Sequence, residues 1–236
     1  MSEYRMRGII DIHDLDYNGI AKTSAILKFM QSAAEMQLTD NGMSYASLKD
    51  KGHAFILSRL KLEVLKPLTA YQPITAITYP CESRGYGFLR CYALESMGVT
   101  VARAISVWAL INTNSHSLIK CSDFDLGLAL LPPLNLELDR TKMPSTLIDI
   151  GKYGVHYGDV DQNRHMNNTK YADMFSNYLP LEGKMIKSIN LHFVNEAVLG
   201  EKLRVQSATV GGSHYFRTIR ADGKINSDTE IILSDI

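Results

Sequence analysis

The chain has 236 residues, 45% hydrophobic and 21% charged, with a formal net charge of zero. That composition suits an ordinary globular protein of one large or two small domains and supplies no overall field for nucleic acid or an anionic membrane. Three cysteines, Cys81, Cys91 and Cys121, with no CxxC pair argue against a disulfide framework or a zinc site, and no apolar run approaches a bilayer span. A cytoplasmic protein with buried, reduced thiols is expected, its start MSEYRMRG being charged rather than signal-like.

In chain order, the strand-like run RGIIDIH leads into the polar stretch HDLDYNG. Helical spacing follows, with Ile26, Phe29, Met30, Ala33 and Ala34 on one face. Alternating apolar residues in LSRLKLEVLKPL, ITAITYPCES, FLRCYALES and TVARAISVWALIN then predict antiparallel strands separated by glycine and polar turns. The stretch LLPPLNLELDRTKMPS, with paired prolines, reads as a linker.

The order then repeats. A short strand in YGVHY precedes GDVDQNRHMNNTKYADMF, which echoes HDLDYNGIAKTSAILKFM 145 positions earlier and brings Asp161 and Asn163 onto Asp16 and Asn18. Tyr171, Met174 and Phe175 continue the helical spacing. KSINLHFVNEAVLGEKL echoes the first alternating run at an offset of 129, pairing Ile189 and Leu191 with Leu60 and Leu62, and three more strands follow in LRVQSATV, HYFRTIRA and TEIILS. Each half is therefore an α+β unit, a long helix packed on one face of an antiparallel sheet. The boundaries expected are 1–130 for the first unit, 131–145 for the linker and 146–236 for the second.

Where the second half has His165 and Glu196, the first has Ile20 and Pro67, which transfer no proton. Chemistry is therefore expected in the second half, in DVDQNRHMNN. Calcium does not suit this stretch: Asp159, Asp161 and Asn163 begin like an EF-hand loop, but Arg164 stands at the glycine position and Lys170 at the bidentate glutamate position. No metal or other cofactor is expected.

The motif D-x-N-x-H-x-N-N-x-x-Y in DVDQNRHMNNTKYADM, the segment LHFVNEAVLGEKL and the first-half stretch ARAISVWALINTNSHSLIKCSD resemble the acyl-[acyl-carrier-protein] thioesterases, which carry two hotdog folds in tandem. The resemblance implies hydrolysis of a fatty acyl thioester, an acyl carrier protein as partner, and catalytic residues at Asp161, Asn163, His165 and Glu196. Plant members commonly have a cysteine after that glutamate; here the position is Ala197, so no thiol there serves as nucleophile.

Thioester hydrolysis needs an activated water or nucleophile and donors for the developing oxyanion. In an extended segment, positions i, i+2 and i+4 bring Asp161, Asn163 and His165 to one side. Asp161 is then general base or carboxylate nucleophile, Asn163 positions substrate or water, His165 moves protons, and Glu196 orients His165 or the water. The rival for Asp161 and Asn163 is an Asx-type turn, since the silent half keeps Asp16 and Asn18. For Glu196 the rival is a solvated carboxylate sharing a strand face with Val194 and Val198. Asn167 is expected to cap the following helix and aim its positive end at the carbonyl, with Asn168 and Tyr171 nearby. The first half, through Ile26 and Met30, offers an apolar surface for the acyl chain or simply core. Arg164 and Lys170 are candidates to face an acidic carrier. Acyl-coenzyme A hydrolysis, hydroxyacyl dehydration and non-enzymatic acyl binding stay open, as does a homodimer.

Overall fold

The computed structural model describes residues 3–236; Met1 and Ser2, at the head of the charged start, lie outside the described residues. The first half contains β1 (Tyr4–Ile9), α1 (Thr23–Asp40), α2 (Tyr45–Asp50), β2 (His53–Val64), β3 (Pro73–Pro80), β4 (Gly87–Ser96), β5 (Val99–Asn112) and β6 (Ser117–Ile119). The second contains β7 (Ile148–Gly154), α3 (Lys170–Ser176), β8 (Lys184–Phe193), β9 (Lys202–Val210), β10 (Ser213–Ile219) and β11 (Ile225–Asp235). The strands form one antiparallel sheet in the order β1-β3-β4-β5-β2-β8-β11-β10-β9-β7, with β6 on β5. Reading outward from the centre, each half repeats the same order.

The halves join where β2 meets β8. Leu60 pairs with Leu191 and Leu62 with Ile189, so the residues that carried the sequence echo cross one another at the centre. All four are buried, at most 2% exposed. One sheet thus passes through both halves with no edge between them, which removes the unpaired rim that separate units would expose.

Helix α1 forms because Ile26, Leu27, Met30, Ala33 and Ala34 recur at helical spacing, and all five are buried in the main core. It ends at Gly42, whose φ of +76° favours glycine, with Met43 N–H closing on the Leu38 carbonyl. Close approach to β1 needs Gly8: a Cβ there would stand 2.9 Å from the Phe29 ring. A buried polar group fastens the other side of α1, where Arg90 Nη1 donates to Gln37 Oε1 at 2.7 Å and to Thr78 Oγ1 at 3.1 Å.

The second helix departs from the long element expected. α3 has seven residues, and Asn177 and Pro180 follow it closely. Its apolar residues still face inward, with Phe175 stacked on Phe216 at 4.9 Å between centroids. The helix over the second half of the sheet is therefore short, and α1 carries more of the layer.

The stretch between the halves contains no regular helix or longer strand, but it is strapped down. Leu131 N–H donates to the Pro80 carbonyl, Arg59 donates to the Leu138 carbonyl, and Leu136 packs against Cys81, Cys91 and Ile105. Cys81 and Cys91 are buried thiols 3.4 Å apart at sulfur, whereas Cys121 is half-buried rather than buried.

Candidate active site

The motif loop does not run extended. A short 3₁₀ turn, Tyr157–Asp159, is closed by Asp159 Oδ2 accepting from His156 N–H at 2.9 Å. A tight reversal follows: Arg164 N–H donates to the Asp161 carbonyl, Asp161 N–H donates to the His165 carbonyl at 2.9 Å, and Arg164 takes φ +64°. Asp161 Oδ1 stabilises this turn by accepting from Asn163 N–H at 2.8 Å. The turn, not strand alternation, brings Asp161 and His165 together, and it lifts Asn163 and Arg164 to an exposed tip.

Glu196 also sits elsewhere than alternation predicts. Strand β8 ends at Phe193, and the chain bends through Val194–Glu196 before pairing with the motif loop. Met166 N–H donates to the Ala197 carbonyl at 2.8 Å, and His165 bridges to Val198. This pairing sets His165 Nδ1 3.1 Å from Glu196 Oε2. Their side chains remain 37% and 57% exposed, so an incoming substrate can reach them.

The bend is held from behind. Asn226 Nδ2 donates to the Tyr171 hydroxyl oxygen at 2.9 Å and to the Asn195 carbonyl, while Thr218 Oγ1 donates to Asn226 Oδ1 at 2.7 Å. Tyr171 is 2% exposed, and burial pushes its phenol up to about 12. It is a neutral buried support, not an open surface for substrate.

Two residues that the sequence did not single out enter from the first half. The Tyr45 hydroxyl, at the start of α2, donates to Asn163 Oδ1 at 2.5 Å. With its oxygen so occupied, the Asn163 amide keeps its NH₂ available to another acceptor. Glu35, on α1, lies within electrostatic reach of Asp161. Crowding by surrounding protein and then the Asp161 charge raise the pKa of its carboxyl, although the residue keeps solvent-accessible surface. Tyr45 lies outside the repeated segments, and a lone acid on a helix reads as a solvated face, so neither carried a sequence signal.

The other expected residues are divided. Asn167 does not cap α3 directly: its Oδ1 accepts from Thr169 N–H at 3.0 Å and Thr169 Oγ1 at 2.8 Å, and the helix starts one residue later. Asn168 is half-buried. Ile26 and Met30 lie 2% and 1% exposed, far more core than open surface. Lys170 pairs with Asp173 at 3.6 Å, whereas Arg164 has no carboxylate partner among the described residues. Among the described residues no three His, Cys, Asp or Glu side chains are placed to hold a metal ion.

Two helix-on-sheet units in tandem, joined into one sheet, are the double-hotdog architecture of the acyl-ACP thioesterases. The acyl-ACP thioesterase N-terminal domain matches residues 1–123 and its C-terminal domain matches residues 145–234, and the chain belongs to that family. It is 22% identical over 228 residues to the chloroplastic palmitoyl-acyl carrier protein thioesterase of Arabidopsis thaliana, covering 88% of this chain and 55% of that protein. The chain thus spans about half the length of that curated relative. In fold it is similar to an acyl-ACP thioesterase from Bacteroides thetaiotaomicron, with a TM-score of 0.90, 18% identity and coverage of 99% and 98% of the two chains. It is also similar to the 12:0-ACP thioesterase from Umbellularia californica, with a TM-score of 0.85, 18% identity and coverage of 100% and 98%.

Proposed function

We propose that this protein hydrolyses the thioester of fatty acyl-[acyl carrier protein], releasing the free acid and the carrier thiol. The observation that carries the reading is the His165–Glu196 pair at 3.1 Å, present in the half whose counterparts are Ile20 and Pro67 in the other. Glu196 accepts from His165 Nδ1–H, which fixes the tautomer and leaves Nε2 to take a proton from water. The water oxygen attacks the thioester carbonyl carbon, Glu196 stabilises the imidazolium that forms, and the proton passes to the departing sulfur. Asn163 Nδ2, oriented by Tyr45, donates to the carbonyl oxygen as negative charge develops there. The short, indirectly capped α3 makes Asn163 a better donor candidate than the helix end.

A second assignment makes Asp161 the base or carboxylate nucleophile. It is favoured by Glu35, whose carboxyl pKa is raised above its ordinary value by the protein around it and by the Asp161 charge, so a second carboxyl group stands within electrostatic reach of Asp161. Exposed Arg164 at the turn tip suits an acidic carrier. The same reading assigns 1–130 and 146–236 as the units and 131–145 as their linker, places the protein in the cytoplasm, and is compatible with a homodimer. No helix among the described residues is long and apolar enough to cross a membrane.

The test is thiol release from acyl-carrier-protein and acyl-coenzyme A thioesters of several chain lengths, with Asp161→Ala and His165→Ala as folded controls. Carrier-protein substrates should be turned over faster, with loss in both variants. Faster turnover of coenzyme A substrates would reassign the carrier. Absence of thiol release from every substrate would overturn the hydrolase reading.

A further inference from the structure

The silent half keeps a cavity where the other half has its site. Asp16 Oδ1 accepts from the N–H groups of Asn18 at 2.9 Å and Ile20 at 3.3 Å, rebuilding the turn that Asp161 makes. Asn18 differs from Asn163: its side chain clamps the second half, donating to the carbonyls of Leu181 and Lys184 and accepting from Gly183 N–H. Beside this turn lies a cavity of about 290 Å³ with Ile20, Ile26, Val64, Leu68 and Met185 on its apolar wall. Ile26 and Glu35 are nine residues apart on α1, about 14 Å at 1.5 Å per residue, so this cavity is separate from the candidate active site.

Its polar end is the start of α1. Asn167, whose oxygen accepts a backbone N–H ahead of α3, has Lys22 as its counterpart, and an ammonium cannot accept. Lys22 is the N-cap of α1 without a side-chain cap bond, and the first turn contains no acidic residue. The N–H groups of Thr23 and Ser24 have no acceptor among the described residues. Thr23 lines the cavity, is 9% exposed, and its hydroxyl has no hydrogen-bond partner among the described residues.

The charges at this end favour an anion. Asp16 is already held by two N–H groups, and Asp173 pairs with Lys170 at 3.6 Å. Lys184 has only a 3.9 Å contact to exposed Asp235. Lys22 donates to the His13 carbonyl at 3.3 Å and has no carboxylate partner among the described residues. Uncapped N–H groups, the Thr23 hydroxyl at the cavity wall and the Lys22 ammonium, which has no carboxylate partner among the described residues, together suit a carboxylate.

We propose that this cavity binds an unbranched aliphatic carboxylate, its head at Thr23 and Lys22 and its chain along the half-buried Leu181 and Met185. At roughly 30 Å³ for each water-sized group, the cavity takes about ten heavy atoms, the size of octanoate. Ile20 and Pro67 offer no proton transfer, so the ligand is held without turnover. That it belongs to the class of acid released at the other site rests on the proposed hydrolysis; the binding does not.

The experiment uses the full chain with Tyr17→Trp, because Tyr17 lines the cavity and is 72% exposed, so the substitution leaves the core intact. Emission is followed during titration with octanoate and, as the uncharged control, octan-1-ol. A saturable change with octanoate is expected, absent from the unmodified protein and unaltered by His165→Ala. Adding exposed Lys22→Gln should weaken it about tenfold, the scale of one charge-assisted hydrogen bond. No saturable change, equal binding of octan-1-ol, or loss on His165→Ala with Lys22→Gln unaffected would each overturn the proposal. Because the readout is binding, a failed hydrolysis assay leaves it standing, and its own failure leaves the hydrolase reading untouched.

Discussion

His165 Nδ1 stands 3.1 Å from Glu196 Oε2, and the backbone pairing of Met166 with Ala197 sets that distance. The pair is therefore a product of two loops zipped together. Side-chain chemistry alone does not create it, and a change in either loop acts on both residues.

Removing His165 should lower kcat by about 10²–10⁴, the usual contribution of a positioned acid–base group. Glu196→Gln keeps the shape but loses the charge, and a smaller loss of about tenfold is expected. The double variant should be little slower than His165→Ala alone, because residues acting as a unit are not additive. Additive losses would show that the two work separately.

Tyr45→Phe should reduce kcat about tenfold with KM nearly unchanged, because the lost hydroxyl orients Asn163 rather than holding ground-state substrate. Stability should fall by less than about 1 kcal/mol, since the side chain is 41% exposed. In an Asn163→Ala background the same change should do little. A full tenfold loss in that background would mean that Tyr45 acts by another route.

Glu35 gives a pH dependence with a definite sign. Its folded pKa is raised first by the protein crowded around it, although the residue stays solvent-accessible, and second by Asp161, so the folded state holds that proton above the ordinary value of 4.5. Stability from this group is intact below 4.5 and declines as pH rises from there through the higher folded pKa. Glu35→Gln should flatten that decline, and Asp161→Asn should move the Glu35 titration back down. Titrating the Glu35 carboxyl by carbon-detected NMR in both proteins checks the second statement directly.

The repeat was legible because strand alternation and helix spacing survive divergence: Leu60, Leu62, Ile189 and Leu191 are core on both sides of the joint. The loop geometry was not. Arg164 adopts φ +64° without being glycine, so no residue type announced the reversal that replaces the extended segment. Glu196 left its strand because β8 stops at Phe193, a boundary concealed by Val194 and Val198, which continue an alternating pattern past it. Tyr45 reaches Asn163 across 118 positions, a contact that only the folded sheet creates.

The bend carrying Glu196 should depend on Asn226, which is fully buried and bonds to Tyr171, Asn195 and Thr218. Tyr171→Phe removes one acceptor and leaves one Asn226 N–H short of a partner, at a cost of about 1–3 kcal/mol. Asn226→Ala removes all three bonds, strands the Tyr171 hydroxyl and the Asn195 carbonyl while Thr218 keeps Ser227 as a partner, and should cost more. If these residues hold the bend, activity should fall in the same order, with kcat affected before thiol-ester binding, because Glu196 drifts from His165 while Asn163 and Tyr45 remain in place. Denaturant midpoints and kcat for both variants decide it: a protein as destabilised as expected but fully active would show that the buried network supports the fold alone.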